Sequence, residues 1–392
     1  MVDKEQKPPA IQGEAAGNLM ADGEMDLLED EQVFVAGQYQ LMWWRFRKHR
    51  MALVGAAVVI LFYTSAVFAD FIAISDPAKS DVDVAYLSPQ TIHWFDGGFS
   101  PHVKELIGSR DPDTFKKVYT TKPDSHIPIM FLVRGYEYKL FGIIKLDRHL
   151  IGIDESQNEE RRAPFFLGTD VQGRDMWSRM VFGTRVSLTI GLIGVALSLF
   201  LGVTLGSMSG YYGGIVDVVI QRIIEITRSV PTIPLWIALA ASVPRDWSMI
   251  RIYFAITILI ALFVWTDLGR VVRGRFLALR EEDFVMAAKI GGASDVRVIF
   301  RHMLPNFASH LIASTTLAIP FMIISETALS FLGLGLRAPA ISWGVLLQQA
   351  QNVQTVAIYP WLTLPAVPVT VAVLAFNFMG DGLRDAADPY GN

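Results

Sequence analysis

Cysteine is absent from this chain of 392 residues, which excludes disulfides, Cys-ligated zinc and thiol nucleophiles and leaves the redox compartment open. Charge is also scarce. Only 18% of residues are charged while 52% are hydrophobic, whereas an ordinary soluble domain has about 25% charged residues. With a mean hydropathy of +0.37, the composition is that of a membrane protein. No basic excess exists either: 34 Lys and Arg against 38 Asp and Glu leave a net charge of −4, so nucleic acid is not an expected partner. No Gly-x-x-x-x-Gly-Lys-Ser/Thr run is present, so this chain does not itself cradle nucleotide phosphates. The 7 His are scattered without an i, i+3 or i, i+4 pair, which leaves a helix-borne metal site unsupported. Isolated carboxylates such as Asp154 and Asp170 read as surface or capping groups, and no catalytic residue is expected.

What is present divides the chain into unlike parts. Residues 1–40 are polar and acidic and read as a disordered cytoplasmic tail. Residues 41–69 begin with Leu41-Met42-Trp43-Trp44-Arg45-Phe46-Arg47-Lys48-His49-Arg50, where aromatics alternate with cations, and continue into the apolar run Met51 to Ala69. An interfacial helix leading into a first transmembrane span fits, with aromatics at headgroup level. Val67-Phe68-Ala69 loosely resembles a cleavage site, but the apolar run starts too late for a signal peptide. Residues 70–180 drop in hydropathy and carry turn signals at Asp96-Gly97-Gly98, Asp111-Pro112 and Gly135. They are expected to form a small α+β external domain, with a β-hairpin of Ile127 to Val133 and Tyr136 to Ile144.

Residues 181–392 contain further apolar runs, Val186 to Met208, Ile215 to Ser242, Ile252 to Leu268, Phe307 to Ile324 and Ala357 to Met379. Each is near the ~20 residues a helix needs to cross hydrocarbon, so the expected fold is all-α and polytopic, with about six spans. Cations set the orientation. Arg45, Arg47, Lys48 and Arg50 precede the first span, and seven Lys and Arg from Arg270 to Arg301 lie between the fourth and fifth. Both termini and that loop are expected to be cytoplasmic, and the 70–180 domain outside.

The loop at residues 280–306 is the richest in signals. Glu281, Glu282 and Asp283 suit a helix N-terminus, and Phe284, Ala287 and Ala288 then share one face. Gly291-Gly292 breaks that helix, Ser294 is placed to cap the next and Pro305 to help end it. The expected product is a helix-turn-helix whose small-residue face admits close approach of a partner.

This segment resembles the EAA loop of ABC-importer permeases, with Ala287, Ala288, Gly292, Leu304 and Pro305 at the matching positions. The motif's acid falls on Met286 and its usual Ile on His302. Further blocks are similar to the C-type permeases of the dipeptide/oligopeptide/nickel family. They are Leu167 to Arg179 continuing through Gly183, Arg185 and Ser187-Leu188; Gly210 to Gly214 with Asp217; Ser330 to Gly335; Ser342-Trp343-Gly344; and Asn377 through Gly380 to Asp385. The external segment is longer than is usual there. The resemblance implies a heterodimeric pore with a second homologous permease subunit, two ATPase subunits that hold the ATP and magnesium, and an extracytoplasmic solute-binding protein. It implies no cofactor on this chain. Phe284, Ala287, Ala288, Gly292, Leu304 and Pro305 would form the coupling surface for the ATPase.

Asp170 can cap a short helix, and Asp175 and Arg179 form an i, i+4 pair on its surface. With Trp177 and Phe182 at headgroup level, this helix is expected to lie on the membrane before the second span. Asp170, Arg174, Asp175 and Arg179 are then candidates either for contact with the docked binding protein or for a structural anchor. Near the spans, Asp217, Arg222, Glu225 and Arg228 precede Ser229-Val230-Pro231, and Glu225 has an Arg three residues away on either side. Mutual neutralisation is the expected role of these charges. Ser229 and Pro231 are candidates for the pathway, where proline would impose a bend. Glu326 is expected either to line the outer gate or to reach water.

The function implied is import of an oligopeptide-like solute by alternating access, with an oligosaccharide, opine or nickel as alternative cargo. An ion-coupled secondary transporter would show internal repeats and midplane charges, and neither stands out. A membrane enzyme or sensor would need a catalytic constellation in 70–180, and none is visible.

Overall fold

A computed structural model describes residues 37–95, 98–110, 112, 117–122, 125–153, 164–244 and 246–387. Most of the acidic tail, together with Asp154 and Arg245, falls outside them. Among the described residues five helices are long and apolar enough to cross a membrane, or six if one sharply bent pair counts as a span.

Helix α1 (Gln38–Lys48) stops at His49, which then caps α2 (Arg50–Val67): its Nδ1 accepts from Ala52 N–H at 3.0 Å. Met42 and Phe46 on α1 are buried with Ala52 and Ala386, while Trp43 is exposed. One face of α1 therefore packs on protein and the other, with Trp43, is uncovered. A short α3 (Ala69–Ile72) follows directly.

The strand region holds β1 (His93–Phe95), β2 (Phe99–Val103), β3 (Leu106–Arg110), β4 (Lys117–Thr121), β5 (Ile127–Pro128), β6 (Met130–Leu140) and β7 (Ile144–Gly152). They form three small antiparallel sheets, β1-β2-β5, β3-β4 and β6-β7. The hairpin expected across Arg134-Gly135 is not there. Both of those residues lie inside β6, where the register shifts between Arg134 and Tyr138, and the turn falls at Phe141-Gly142 instead. Gly135 is accommodated by close packing: a Cβ there would lie 2.7 Å from His149.

Helix α4 (Met176–Tyr212) is one continuous helix of 37 residues. The separate surface-lying helix expected before the second span is thus corrected: at 1.5 Å per residue α4 is about 55 Å long, well beyond the ~30 Å hydrocarbon. It packs on α7 (Met249–Leu279) through small residues. A Cβ at Gly206 would lie 2.6 Å from Gly269 O, and one at Gly210 2.7 Å from Arg273 O. Only glycine permits so close a crossing. Between them come α5 (Gly214–Ser229) and α6 (Thr232–Ala241), bent by 86° at Val230-Pro231.

Beyond α7 stand α8 (Asp283–Ile290) and α9 (Asp295–Arg297). A π-helical stretch (Val298–Met303) and a 3-10 turn (Leu304–Phe307) then lead into α10 (Ala308–Phe331). Pro305 therefore does not end a helix. It sits in the first turn of the 3-10 stretch, where its missing N–H costs little, and the helical path runs from Asp295 to Phe331. Helices α11 (Trp343–Leu347) and α12 (Val353–Ile358) precede α13 (Ala366–Ala387), which packs on α2 and α10. The main core joins α2, α4, α7, α10, α11 and α13 around Leu188, Ile260, Met322, Trp343 and Phe376.

Candidate functional site

Helix α8 is held from beneath. Val285 is fully buried among Val272, Phe276, Val298, Met303 and Phe307, and Ala288, Ala293 and Leu304 pack on the edge of this cluster. Tyr211, near the end of α4, adds a polar clamp: its hydroxyl donates to Asp295 Oδ1 at 2.8 Å, and Lys289 Nζ lies 4.7 Å from its ring centre. The helix ends at Gly291, and Gly292 takes φ +79°, a left-handed conformation that favours glycine. Ser294 occupies the next N-cap position, but its side chain makes no capping hydrogen bond.

The outward face is apolar. Phe284, Met286, Ala287 and Ile290 are exposed, as are Val296 and Phe300 beyond the turn. Phe284, Ala287 and Ala288 do not share one environment as the spacing implied: Ala288 is half-buried. At 100° per residue the edge of the burial contact passes between Ala287 and Ala288. Gly292 and Pro305 are exposed and Leu304 is half-buried. The result is a short helix rigidly joined to α4, α7 and α10 that presents an uncovered apolar surface.

The Gly168 to Arg179 segment has the opposite character. Asp170 Oδ1 accepts from the backbone of Gln172 (2.8 Å) and Arg174 (3.0 Å), and its Oδ2 takes Arg174 Nε at 2.7 Å, with Arg179 Nε 3.6 Å away. Arg179 also donates to Pro77 O at 3.1 Å. Asp175 caps α4, accepting from Ser178 N–H at 2.7 Å, while Ser178 Oγ accepts from Ile74 and Ser75. Thr169 exchanges hydrogen bonds with Leu87 and Val84, and Trp361 Nε1 donates to Thr169 O at 3.0 Å. Asp170, Arg174, Asp175 and Arg179 are all buried, so none of them offers a surface to a docked protein. That candidate contact is corrected: the four side chains turn inward to join residues 74–90 to the start of α4. Burial raises the Asp175 carboxyl to about 6, against the Ser178 hydrogen bonds that favour the carboxylate.

Glu326 is fully enclosed. It accepts from Ser330 Oγ and Ser342 Oγ, both at 2.8 Å, with Ser187 Oγ 3.5 Å away, and Ser187 in turn receives Trp343 N–H. It neither reaches water nor faces an open gate, because three serines on α4, α10 and the approach to α11 wrap it into the packing.

At the 86° bend, Ser229 donates to Ile226 O and, like Pro231, is exposed. Neutralisation there is shared differently from the sequence pattern. Glu225 pairs with Arg222 at 2.8 Å, Asp217 takes a bidentate pair from Arg273, and Arg228 pairs with Asp267 on α7. Arg228, at the end of α5, reaches across to α7 rather than back to Glu225. Asp267 was hidden in the sequence by averaging over Ile252 to Leu268; a lone carboxylate within an apolar run was the available signal. It borders two neighbouring cavities. One, of about 160 Å3, is lined by Arg228, Thr232, Trp236 and Phe321; the other, of about 280 Å3, by Ser198, Ser314, Thr315 and Phe321.

Two family descriptions match. The binding-protein-dependent transport system inner membrane component covers residues 202–390, and the N-terminal TM domain of oligopeptide transport permease C covers residues 37–89. The dipeptide transport system permease protein DppC of Lactococcus lactis subsp. cremoris is 32% identical over 352 residues, 90% of either chain. Its counterpart in Alkalihalophilus pseudofirmus is 41% identical over 228 residues, 58% of this chain and 72% of its own. The oligopeptide transport system permease protein OppC of Bacillus subtilis is 37% identical over 225 residues, 57% of this chain and 71% of its own. Among solved structures, a chain of the inward-facing MetNI methionine ABC transporter aligns over 54% of this chain and 97% of its own, at 17% identity and TM-score 0.42. This chain belongs to the dipeptide/oligopeptide branch of the ABC-importer permeases, the inner-membrane components of binding-protein-dependent transport systems.

Proposed function

We propose that this permease imports an oligopeptide-like solute by alternating access, driven by two partner ATPase subunits and completed by a second permease subunit. Both termini and α8 would face the cytoplasm, a placement supported by the cations flanking α2 and those between α7 and α10. The peptide class rests on relatives named for dipeptide and oligopeptide transport. ATP and magnesium would sit in the ATPase subunits. Their closure would push on Phe284 and Ala287, and the buried Val285 and the Tyr211 clamp would pass that displacement to α4, α7 and α10. The second permease subunit would close the pathway along the face bearing Arg228, Asp267 and Phe321, next to the bend at Pro231. A solute-binding protein would deliver cargo on the opposite side, docking on surfaces other than the sealed Asp170 cluster.

The observation that carries this reading is a helix exposed and apolar on one face yet locked to three spans on the other. Ala287→Asp tests it. In the complex reconstituted in liposomes, solute-stimulated ATP hydrolysis is expected to fall by about tenfold or more, since a desolvated, unpaired carboxylate costs several kcal/mol at a packed interface. Assembly and hydrolysis indistinguishable from the unaltered complex would contradict the coupling role.

A further inference from the structure

The β6-β7 hairpin ends in a tip that folding alone does not explain. Its turn is closed by Gly142 N–H to Lys139 O at 3.0 Å and Ile143 N–H to Leu140 O at 3.1 Å. Phe141 takes φ +54° and Gly142 φ +73°. Glycine suits this left-handed turn, and so would asparagine or aspartate at the first position, but a bulky aromatic is disfavoured there. Beside Phe141, the residues Ile143 and Ile144 are also exposed, at 83% and 53%, so the tip is a contiguous apolar knob. Lys139 and Lys145 flank it, both exposed.

The position of the tip identifies what covers it. Phe141 makes an edge-on contact with Phe68, ring centres 6.2 Å apart, and Phe68 is the first residue beyond α2. Leu61 and Val67 are exposed on that helix and Phe68 just beyond it, an apolar surface available to lipid along a candidate span. Phe141 continues that surface past the end of α2. The hairpin is braced at this height, because β6 and β7 both pack against α3, and Asp70 on α3 pairs with Arg185 of α4 at 2.9 Å.

We propose that Phe141 to Ile144 form a membrane-contact site, seated in the phospholipid interface beside the end of α2. Apolar side chains enter the boundary between headgroups and acyl chains, as interfacial segments do, while Lys139 and Lys145 extend their ammonium groups to phosphate oxygens. The hairpin then holds the strand region at a fixed height over the membrane.

The absence of cysteine makes the test direct. Single nitroxide labels are placed at Ile143→Cys, at Leu61→Cys as the lipid reference and at Lys122→Cys as the aqueous reference. The full-length permease is held in nanodiscs of phosphatidylethanolamine and phosphatidylglycerol. The expected ratio of oxygen to nickel-chelate accessibility at 143 is about threefold or more above that at 122, approaching that at 61. A ratio equal to that at 122 would overturn the proposal, and so would exclusion of both reagents, which would mark a protein contact. A second variant guards against a merely structural role. Phe141→Asn suits the left-handed turn, so the fold is expected to persist while the label at 143 moves toward water; an unchanged ratio would remove Phe141 from the contact.

Discussion

The loop around α8 and the segment from Gly168 to Arg179 are both dense in sequence signals, yet they fold to opposite ends. Around α8 the charges sit outside, one apolar residue in the middle is buried, and an apolar face stays uncovered. Between Gly168 and Arg179 four charged side chains are sealed inside a network of backbone and side-chain partners. A signal-rich stretch can thus leave an uncovered surface or form a fastening within its own chain. Burial distinguishes the two, and spacing in the sequence does not.

The contrast can be broken most severely at the fastening. Asp170→Ala leaves Arg174 and Arg179 buried without their carboxylate, a change that typically costs about 3–5 kcal/mol. The expected outcome is little folded permease in the membrane, read by in-membrane protease resistance and yield. Next comes the exposed face of α8, where adjacent positions should behave differently. Ala287→Asp is expected to leave the melting temperature of the isolated permease near that of the unaltered chain. Ala288→Asp, half-buried against the cluster beneath, should lower stability by about 1–3 kcal/mol, because it buries a polar group without a partner.

A smaller effect is expected at the bend. Arg228 and Asp267 are partly solvent-exposed, so a double-mutant cycle with Arg228→Ala and Asp267→Asn should give a coupling of about 1 kcal/mol or less in stability. Transport by the same variants should change more than stability does. A stability loss well beyond that range would place the pair in the packing, away from the pathway. The smallest effect concerns pH. The Asp175 carboxyl is raised to about 6 by burial, so the folded state holds the proton more tightly than the unfolded chain, whose pKa is about 4. Its contribution is fully present below that unfolded value and is lost as pH rises through about 6. Amide exchange at the start of α4, corrected for intrinsic rates, should therefore quicken between pH 4 and 6. Asp175→Asn keeps a capping oxygen and should flatten that dependence.

The spans were legible because each needs an apolar run of about 20 residues, and the bend was legible because Pro231 removes a backbone donor. The full extent of α4 was not, since helix continues past the hydrocarbon into sequence that reads as polar. The β6-β7 register also escaped: Arg134-Gly135 has the composition of a turn, but the turn itself is carried by a phenylalanine that few local rules would place there. At the candidate site, the break at Gly291-Gly292 could be read because a left-handed glycine is a local signal, whereas the missing Ser294 capping bond and the burial edge between Ala287 and Ala288 depend on what packs beneath. The Asp170 cluster could not be read, because its partners at Pro77, Leu87 and Trp361 are distant in sequence. Glu326 was likewise visible as an anomaly whose serine partners only the fold supplies.

The central claim is that the exposed side of α8 is the contact for the ATPase while the side facing Val285 is not. A photoreactive benzoylphenylalanine in place of Phe284 tests it in the assembled importer, where the parent side chain is already aromatic and exposed. The expected result is a covalent adduct with an ATPase subunit whose yield changes when ATP is added. An adduct confined to lipid or to the permease itself, with and without ATP, would contradict the claim.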